Sequence, residues 1–241
     1  MLHKLSTLIG YTIRATDGDL GTVEDAYFDD RTWAVRYFVV DTGDWLPGRL
    51  VLVSPESIRS LDADEEAVAV SLTVAQVEAS PDIREHEPVS RQHELELRAY
   101  YGWPVYWGQG AEATRTLKAL REDAIETERP DDMHLQSARD VSAYFLHAKD
   151  GDLGRIEDYL CDDAGWIIRY LVVDTADWGG GRRVLIPPDW IASLDWDRSQ
   201  ARLEHTQEEI RNSPLYDPSR TLEREEEADL YAHYRRPPYW D

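Results

Sequence analysis

Two acidic turns are the residues of this chain best suited to chemistry. Asp17-Gly18-Asp19 lies near Glu24-Asp25, and Asp150-Gly151-Asp152 lies near Glu157-Asp158. Clustered carboxylates are the ligands a hard divalent cation takes. A calcium loop needs six or more oxygens, and the twelve-residue spacing that ends in Glu is absent. Asp-Gly is also a strong hairpin signal, because Gly accepts positive φ and Asp bonds its own backbone. Turn chemistry is therefore the first reading of these residues. Weak cation binding through Asp17, Asp19, Asp150 and Asp152 is the second.

Other chemical candidates are weaker. Gly179-Gly180-Gly181-Arg182-Arg183 looks like a phosphate loop, yet it feeds the apolar strand Val184-Leu185-Ile186 where a phosphate loop feeds a helix N-terminus. The seven histidines show no metal-ligand spacing and no link to a Ser or Cys nucleophile. Cys161 is the one cysteine, so it makes no disulfide within the chain, and it stands where the repeat described below has Phe28. A core position is expected for it. No catalytic residue, cofactor or enzyme activity is expected.

The elements that position these residues occur twice. Asp17 to Gly21 returns as Asp150 to Gly154, Val39-Val40-Asp41-Thr42 as Val172-Val173-Asp174-Thr175, and Tyr106-Trp107 as Tyr239-Trp240, all at an offset of 133 positions. Between Tyr11 and Asp64, 30 of 54 positions are identical to their counterparts. A period this long is a duplicated domain, since solenoid units are about 20–50 residues. The expected division is 1–110, a linker over 111–136 whose residues 113–127 carry helical spacing and read as a connecting helix or an exposed linker, and 137–241.

The formal charge is −22, and acids are spread through both copies. That disfavours nucleic-acid backbones and anionic membrane surfaces, which need clustered Lys and Arg. It suits solubility, or a basic protein partner. No apolar run approaches the ~20 residues of a membrane helix, and a soluble cytoplasmic protein is expected.

Local patterns predict strands over 8–15, 20–28, 33–41, 50–53, 58–61 and 67–72. Gly21 is a candidate bulge. Ser54-Pro55 signals a short helical turn, 73–79 one or two helical turns, and Ser90 the cap of a helix running to Gly102. Short strands separated by frequent turns suggest a small antiparallel barrel. Aligning Ser90 with Ser219 implies that the second copy shortens a loop by four residues and lengthens its helix by about a turn. Both tails end in proline followed by Tyr-Trp, and are expected to act as clasps or as docking motifs. The protein-contact candidates are Trp45, Trp103, Tyr106, Trp107, Trp178, Tyr239 and Trp240. Arg36 and Arg169 lie within apolar strands and need carboxylate partners, for which Asp25/Asp158 or Asp41/Asp174 are the natural candidates.

This order of motifs resembles the PRC-barrel family, through Asp17 to Gly21, Asp25, Asp29, Trp33 to Val40, Leu50 to Val53, Pro55 and Ile58. In the second copy the matching residues are Asp150 to Gly154, Asp158, Asp162, Trp166 to Val173, Val184 to Ile186, Pro188 and Ile191. The resemblance covers 8–72 and 141–205. It implies a mainly β fold with some α: two tandem small antiparallel barrels, each followed by a helical tail. It also implies a non-catalytic protein-interaction role, as in the cytoplasmic barrel of the photosynthetic reaction-centre H subunit or the barrel of a ribosome-maturation factor. An adaptor with another protein as partner is the leading expectation. An assembly factor for a basic ribosomal protein, or a soluble component of a photosynthetic electron-transfer complex, stands behind it. The pair of barrels would form a pseudo-two-fold monomer or a homodimer.

Overall fold

A computed structural model describes residues 1–46, 49–81, 89–107, 134–142, 144–175, 182–195 and 198–240. The expected linker helix near 113–127, the Pro47-Gly48 turn, Trp178 and the Gly179–Gly181 loop lie outside the described residues. The chain forms two compact units. One comprises Met1–Leu8, Thr32–Val35 and Ser137–Asp241, and the other Ile9–Arg31 and Arg36–Gln136. They are called here the C-unit and the N-unit.

In the N-unit the strands are β2 (Thr12–Arg14), β3 (Asp19–Asp29), β4 (Val35–Asp41), β5 (Leu50–Val53), β6 (Ile58–Asp62) and β7 (Ala67–Val70). Their order in the sheet is β5-β4-β3-β2-β7-β6, and β8 (Leu135–Ser137) pairs with β3 off this path. The C-unit repeats the scheme with β9 (Phe145–Ala148), β10 (Gly151–Asp162), β11 (Ile168–Asp174), β12 (Arg183–Ile186), β13 (Ile191–Asp195) and β14 (Gln200–Leu203). Its order is β12-β11-β10-β9-β14-β13, and β1 (Leu2–Lys4) pairs with β10.

The expected antiparallel barrel needs correction on two counts. The sheets are mixed, because β2 runs parallel to β7 and β14 parallel to β9. More than fifty residues separate Arg14 from Ala67, ample for the crossover that a parallel pair requires. Among the described residues the ladders also remain open, with β5 and β6, or β12 and β13, at the ends of the path.

Local structure follows the residues closely. The ladder between β2 and β3 skips a residue between Gly21 and Asp19, and the β9–β10 ladder does the same between Asp152 and Gly154. These are the expected bulges. Gly21 has φ +138°, and a Cβ there would stand 1.9 Å from the Asp41 carbonyl oxygen. Gly154 has φ +149°, with the same 1.9 Å approach to Asp174. The Asp-Gly-Asp-Leu-Gly motif therefore ends in glycine because one backbone crosses directly over another.

Helix α2 (Val74–Glu78) starts in a capping box of Thr73 and Gln76, and α3 (Arg91–Tyr101) is capped by Ser90 and ends at left-handed Gly102. No helix among the described residues is long and apolar enough to cross a membrane.

The strand pairings hold one feature that sequence patterns did not suggest. β10 pairs with β11 on one side and, on the other, with β9 only through Arg155. Its last residues would leave that second side bare. β1 fills it, with Leu2 opposite Asp162, His3 opposite Cys161 and Lys4 opposite Leu160. The leader of the first copy thus belongs to the sheet of the second. β8, the leader of the second copy, lies reciprocally on β3 of the first. The register matches: Asp163 N donates to Met1 O at 3.1 Å, and Asp30 N to His134 O at 2.9 Å, equivalent bonds at the 133-residue offset.

Helix α1 (Leu5–Leu8) packs on β10 behind β1, with Leu5 and Leu8 only 3% and 2% exposed. Full burial of each contributes about 1.5–3 kcal/mol.

Two outcomes follow. Gly21→Ala is expected to lower stability by at least about 2 kcal/mol in denaturant titration, from strain at positive φ and the collision with Asp41; an unchanged midpoint would refute the crossing. Deleting Met1–Lys4 should raise amide exchange at Leu160–Asp162, in the second copy, and leave Phe28–Asp29 protected. Loss of protection in the first copy instead would show that the leader serves its own sheet.

Candidate functional site

Among the described residues, a buried polar cluster recurs in both units. In the N-unit, α3 turns Glu94, Leu97 and Arg98 inward, at 0%, 2% and 1% exposure. A glutamate and an arginine on the apolar face of a helix require partners. Glu94 accepts hydrogen bonds from the Tyr106 hydroxyl at 2.7 and 2.8 Å, and its Oε2 lies 3.2 Å from His134 Nε2. Arg91 approaches the same carboxylate at 3.9 Å. Arg98 donates to the Pro104 carbonyl at 2.7 Å and to the Tyr37 hydroxyl at 3.2 Å, and pairs with Glu56. The Arg36 guanidinium stacks on the Tyr106 ring at 3.7 Å, and Arg91 lies 4.4 Å over Trp107.

Around this cluster Tyr37, Val39, Leu52, Val89 and Leu97 form an apolar core against which Trp103 and Leu135 pack. Burial and then the Glu94 charge push the Tyr37 phenol well above its usual range. Burial, the Glu94 charge and the hydrogen bond to Glu94 do the same to Tyr106. The Tyr106 phenol is held protonated as the donor to Glu94, and the Tyr37 hydroxyl accepts from Arg98.

The C-unit builds the counterpart on α6 (Arg224–His233), which follows α4 (Ala138–Val141) and α5 (Gln207–Arg211). Glu227 accepts from Tyr170 at 2.7 Å and from Tyr239 at 3.2 Å, and Arg224 pairs with it at 3.3 Å. Arg169 stands 4.3 Å over the Tyr239 ring and Arg224 4.1 Å over Trp240. The partner of Arg169 is Asp162, at 2.5 Å, rather than Asp158 or Asp174. Asp162 ends β10 beside the neighbouring strand β11, whereas Asp158 receives the Ser6 amide from α1.

Tyr106 and Tyr239 are thus clasps, each returning a tail to its own unit. Trp107 and Trp240 stay half-buried beneath arginines, and Trp103 stacks on Tyr101 at 4.3 Å. Trp45 is 37% exposed and its indole donates to the Leu20 carbonyl at 2.9 Å. Trp178 lies outside the described residues.

The acidic turns serve the fold. Asp17 accepts from the Val74 amide and Asp150 from the Gln207 amide, each at 2.8 Å, which fixes the first residue of α2 and of α5. Asp19 pairs with Arg14 at 3.5 Å, and Asp152 with His147 at 2.7 Å. Among the described residues no group of three or more His, Cys, Asp or Glu is placed to hold a metal ion. Cys161 is fully buried in β10, and burial raises its thiol well above the usual range. Arg183, beyond the glycine loop, opens β12 and pairs with Glu157 at 2.6 Å.

The signal for the cluster was present in the sequence. Arg91, Glu94, Tyr106 and Trp107 recur as Arg224, Glu227, Tyr239 and Trp240 at the same offset of 133. Aligning Ser90 with Ser219 obscured it. The residue at the cap of α6 is Glu223, and that helix has 10 residues against 11 in α3, so the expected extra turn is absent.

Tyr106→Phe and Tyr239→Phe should each lower stability by about 1.5–3 kcal/mol, the usual value of a hydrogen bond to a carboxylate. Tryptophan emission should shift red as Trp107 or Trp240 meets water. Wild-type stability in both variants would show that the tails merely rest on the surface.

Comparison with known proteins bears on the first copy. No curated protein matches the chain. A family model described as PRC-barrel domain matches residues 2–76, which span β1 to the start of α2, and that segment is accordingly similar to the PRC-barrel family.

Proposed function

We propose that this chain is a non-catalytic protein-interaction module, an adaptor presenting two PRC-type units to a protein partner. The match of residues 2–76 to the PRC-barrel domain carries this reading. The geometry agrees with it: the acidic turns cap helices and the phenols donate to buried carboxylates, which is architecture for a stable scaffold. Exposed Trp45 and half-buried Trp103 and Trp107 are the aromatic surface such a scaffold offers.

A second reading is supported by charge. The net −22 spread over both copies suits a basic partner such as a ribosomal protein, which would make the chain an assembly factor of the ribosome-maturation type. A soluble component resembling the reaction-centre H subunit has no further observation in its favour.

The test is affinity capture from native lysate at about 0.1 M and about 1 M salt, across which the Debye length falls from about 10 Å to about 3 Å. A stoichiometric partner at low salt, lost at high salt and weakened by Trp45→Ala, supports an acidic adaptor. A partner held equally at both salts keeps the adaptor and removes the basic-partner reading. Absence of any stoichiometric partner under both conditions overturns the proposal.

A further inference from the structure

We propose that the edge of β10 that receives β1, and the edge of β3 that receives β8, form a self-association site whose partner is a second copy of this chain. Two chains would re-pair copy for copy: the first copy of one exchanges leaders with the second copy of the other. This is independent of the adaptor reading.

The argument starts from what each unit needs. The C-unit is incomplete without residues 1–8, which cover the end of β10 and bury Leu5 and Leu8. The N-unit takes β8 on β3 in the same way. Neither sheet is finished by its own copy.

The bonds that seat the first leader are local to it. The Met1 amino group reaches Asp163 at 2.5 Å, His3 Nε2 lies 3.1 Å from Asp163, Lys4 donates to the Pro218 carbonyl at 3.0 Å, and the Ser6 amide donates to Asp158 at 3.1 Å. None of these contacts depends on which chain supplies residues 1–8. A leader from a second copy would make them all.

The choice between the two arrangements then rests on the tether. The copies are joined through residues 108–133, a segment of 26 residues. Joining two pairing elements in one chain through a short linker raises their effective concentration to about the mM range. Pairing within the chain is favoured well below that concentration, and pairing between chains competes near it. Exchange of identical elements keeps every native contact, which makes it a low-cost route to a dimer. Interconversion requires lifting the leaders out, so each form persists once folded.

The native chain carries half of a reporter for this. His3 stands directly opposite Cys161, the one cysteine. Opposed residues of an antiparallel pair lie within disulfide reach, at about 5 Å between Cα atoms. The His3→Cys variant is unfolded, refolded at about 10 μM and at about 1 mM, either side of the expected crossover, and then oxidised. The expected result is an intrachain disulfide at low concentration and, at high concentration, a covalent dimer that survives dilution and runs at twice the mass without reductant. Single-chain disulfides at both concentrations would overturn the proposal. A dimer carrying only intrachain disulfides would overturn it too, since its contact would lie elsewhere. Where the disulfide fails to form, light scattering on the unaltered protein decides. A doubled mass that persists on dilution and is lost on deleting Met1–Lys4 supports exchange, and a single-chain mass after refolding at high concentration refutes it.

Discussion

The unpaired edge of one long strand governs this structure. β3 and β10 are 11 and 12 residues long, while the strands beside them on one side, β2 and β9, have only three and four. The excess length would expose backbone donors and acceptors along a row of buried residues, and an open edge of that kind invites foreign strands. Each unit closes the gap with a three-residue leader, and in both cases the leader comes from the other copy. The N-terminal segment therefore has a thermodynamic role out of proportion to its length. It removes an aggregation-prone edge, satisfies the backbone and brings two leucines into the core.

The second organising interaction is the buried carboxylate on the tail helix. Glu94 and Glu227 occupy helix positions that would ordinarily be apolar. Glu94 is satisfied by the Tyr106 hydroxyl, His134 and Arg91, and Glu227 by the Tyr170 and Tyr239 hydroxyls and Arg224; in each unit the arginine also covers the final tryptophan. Such a cluster costs desolvation energy and is stable only when its members are all present. Its consequence is specificity: the tail has one seat, fixed by Tyr106 or Tyr239, where an all-apolar tail would have many.

Much of this was legible locally and little of it at long range. The β5 strand, the Ser54-Pro55 turn, the Ser90 cap, the Gly102 terminus and the bulge beside Gly21 follow from residue chemistry within a few positions. The turns at Asp17-Gly18 and Asp150-Gly151 are legible because Asp-Gly carries its own geometry. The mixed sheet was not legible, since the parallel pairing of β2 with β7 joins segments more than fifty residues apart and leaves no periodic trace. Leader exchange was hidden for a related reason: Leu2 to Lys4 is too short to show alternation, and its partner lies about 160 residues away. The buried cluster was recoverable from the repeat offset. A serine-to-serine alignment concealed it, because the glutamate capping α6 does not look like the serine capping α3.

The sequence repeat also separates what both units share from what is particular to each. The glycine crossing, the left-handed Trp33 and Trp166 at φ 55° and 54°, and the Glu-Tyr-Arg cluster persist in both copies. Elsewhere the copies diverge in concert. Arg98 in the N-unit reaches past Ser57 to Glu56, while its counterpart Tyr231 in the C-unit packs edge-on against Trp190, which replaces that serine. His205, where the first copy has Leu72, joins the same aromatic group at 5.3 Å from Trp190, and burial lowers its pKa. A guanidinium bridge has been exchanged for an aromatic stack at one place in the fold, with all participants changing together as packing density demands. The long strand and the clasp are thus common to both units, and the ground between the tail helix and the sheet is where they differ.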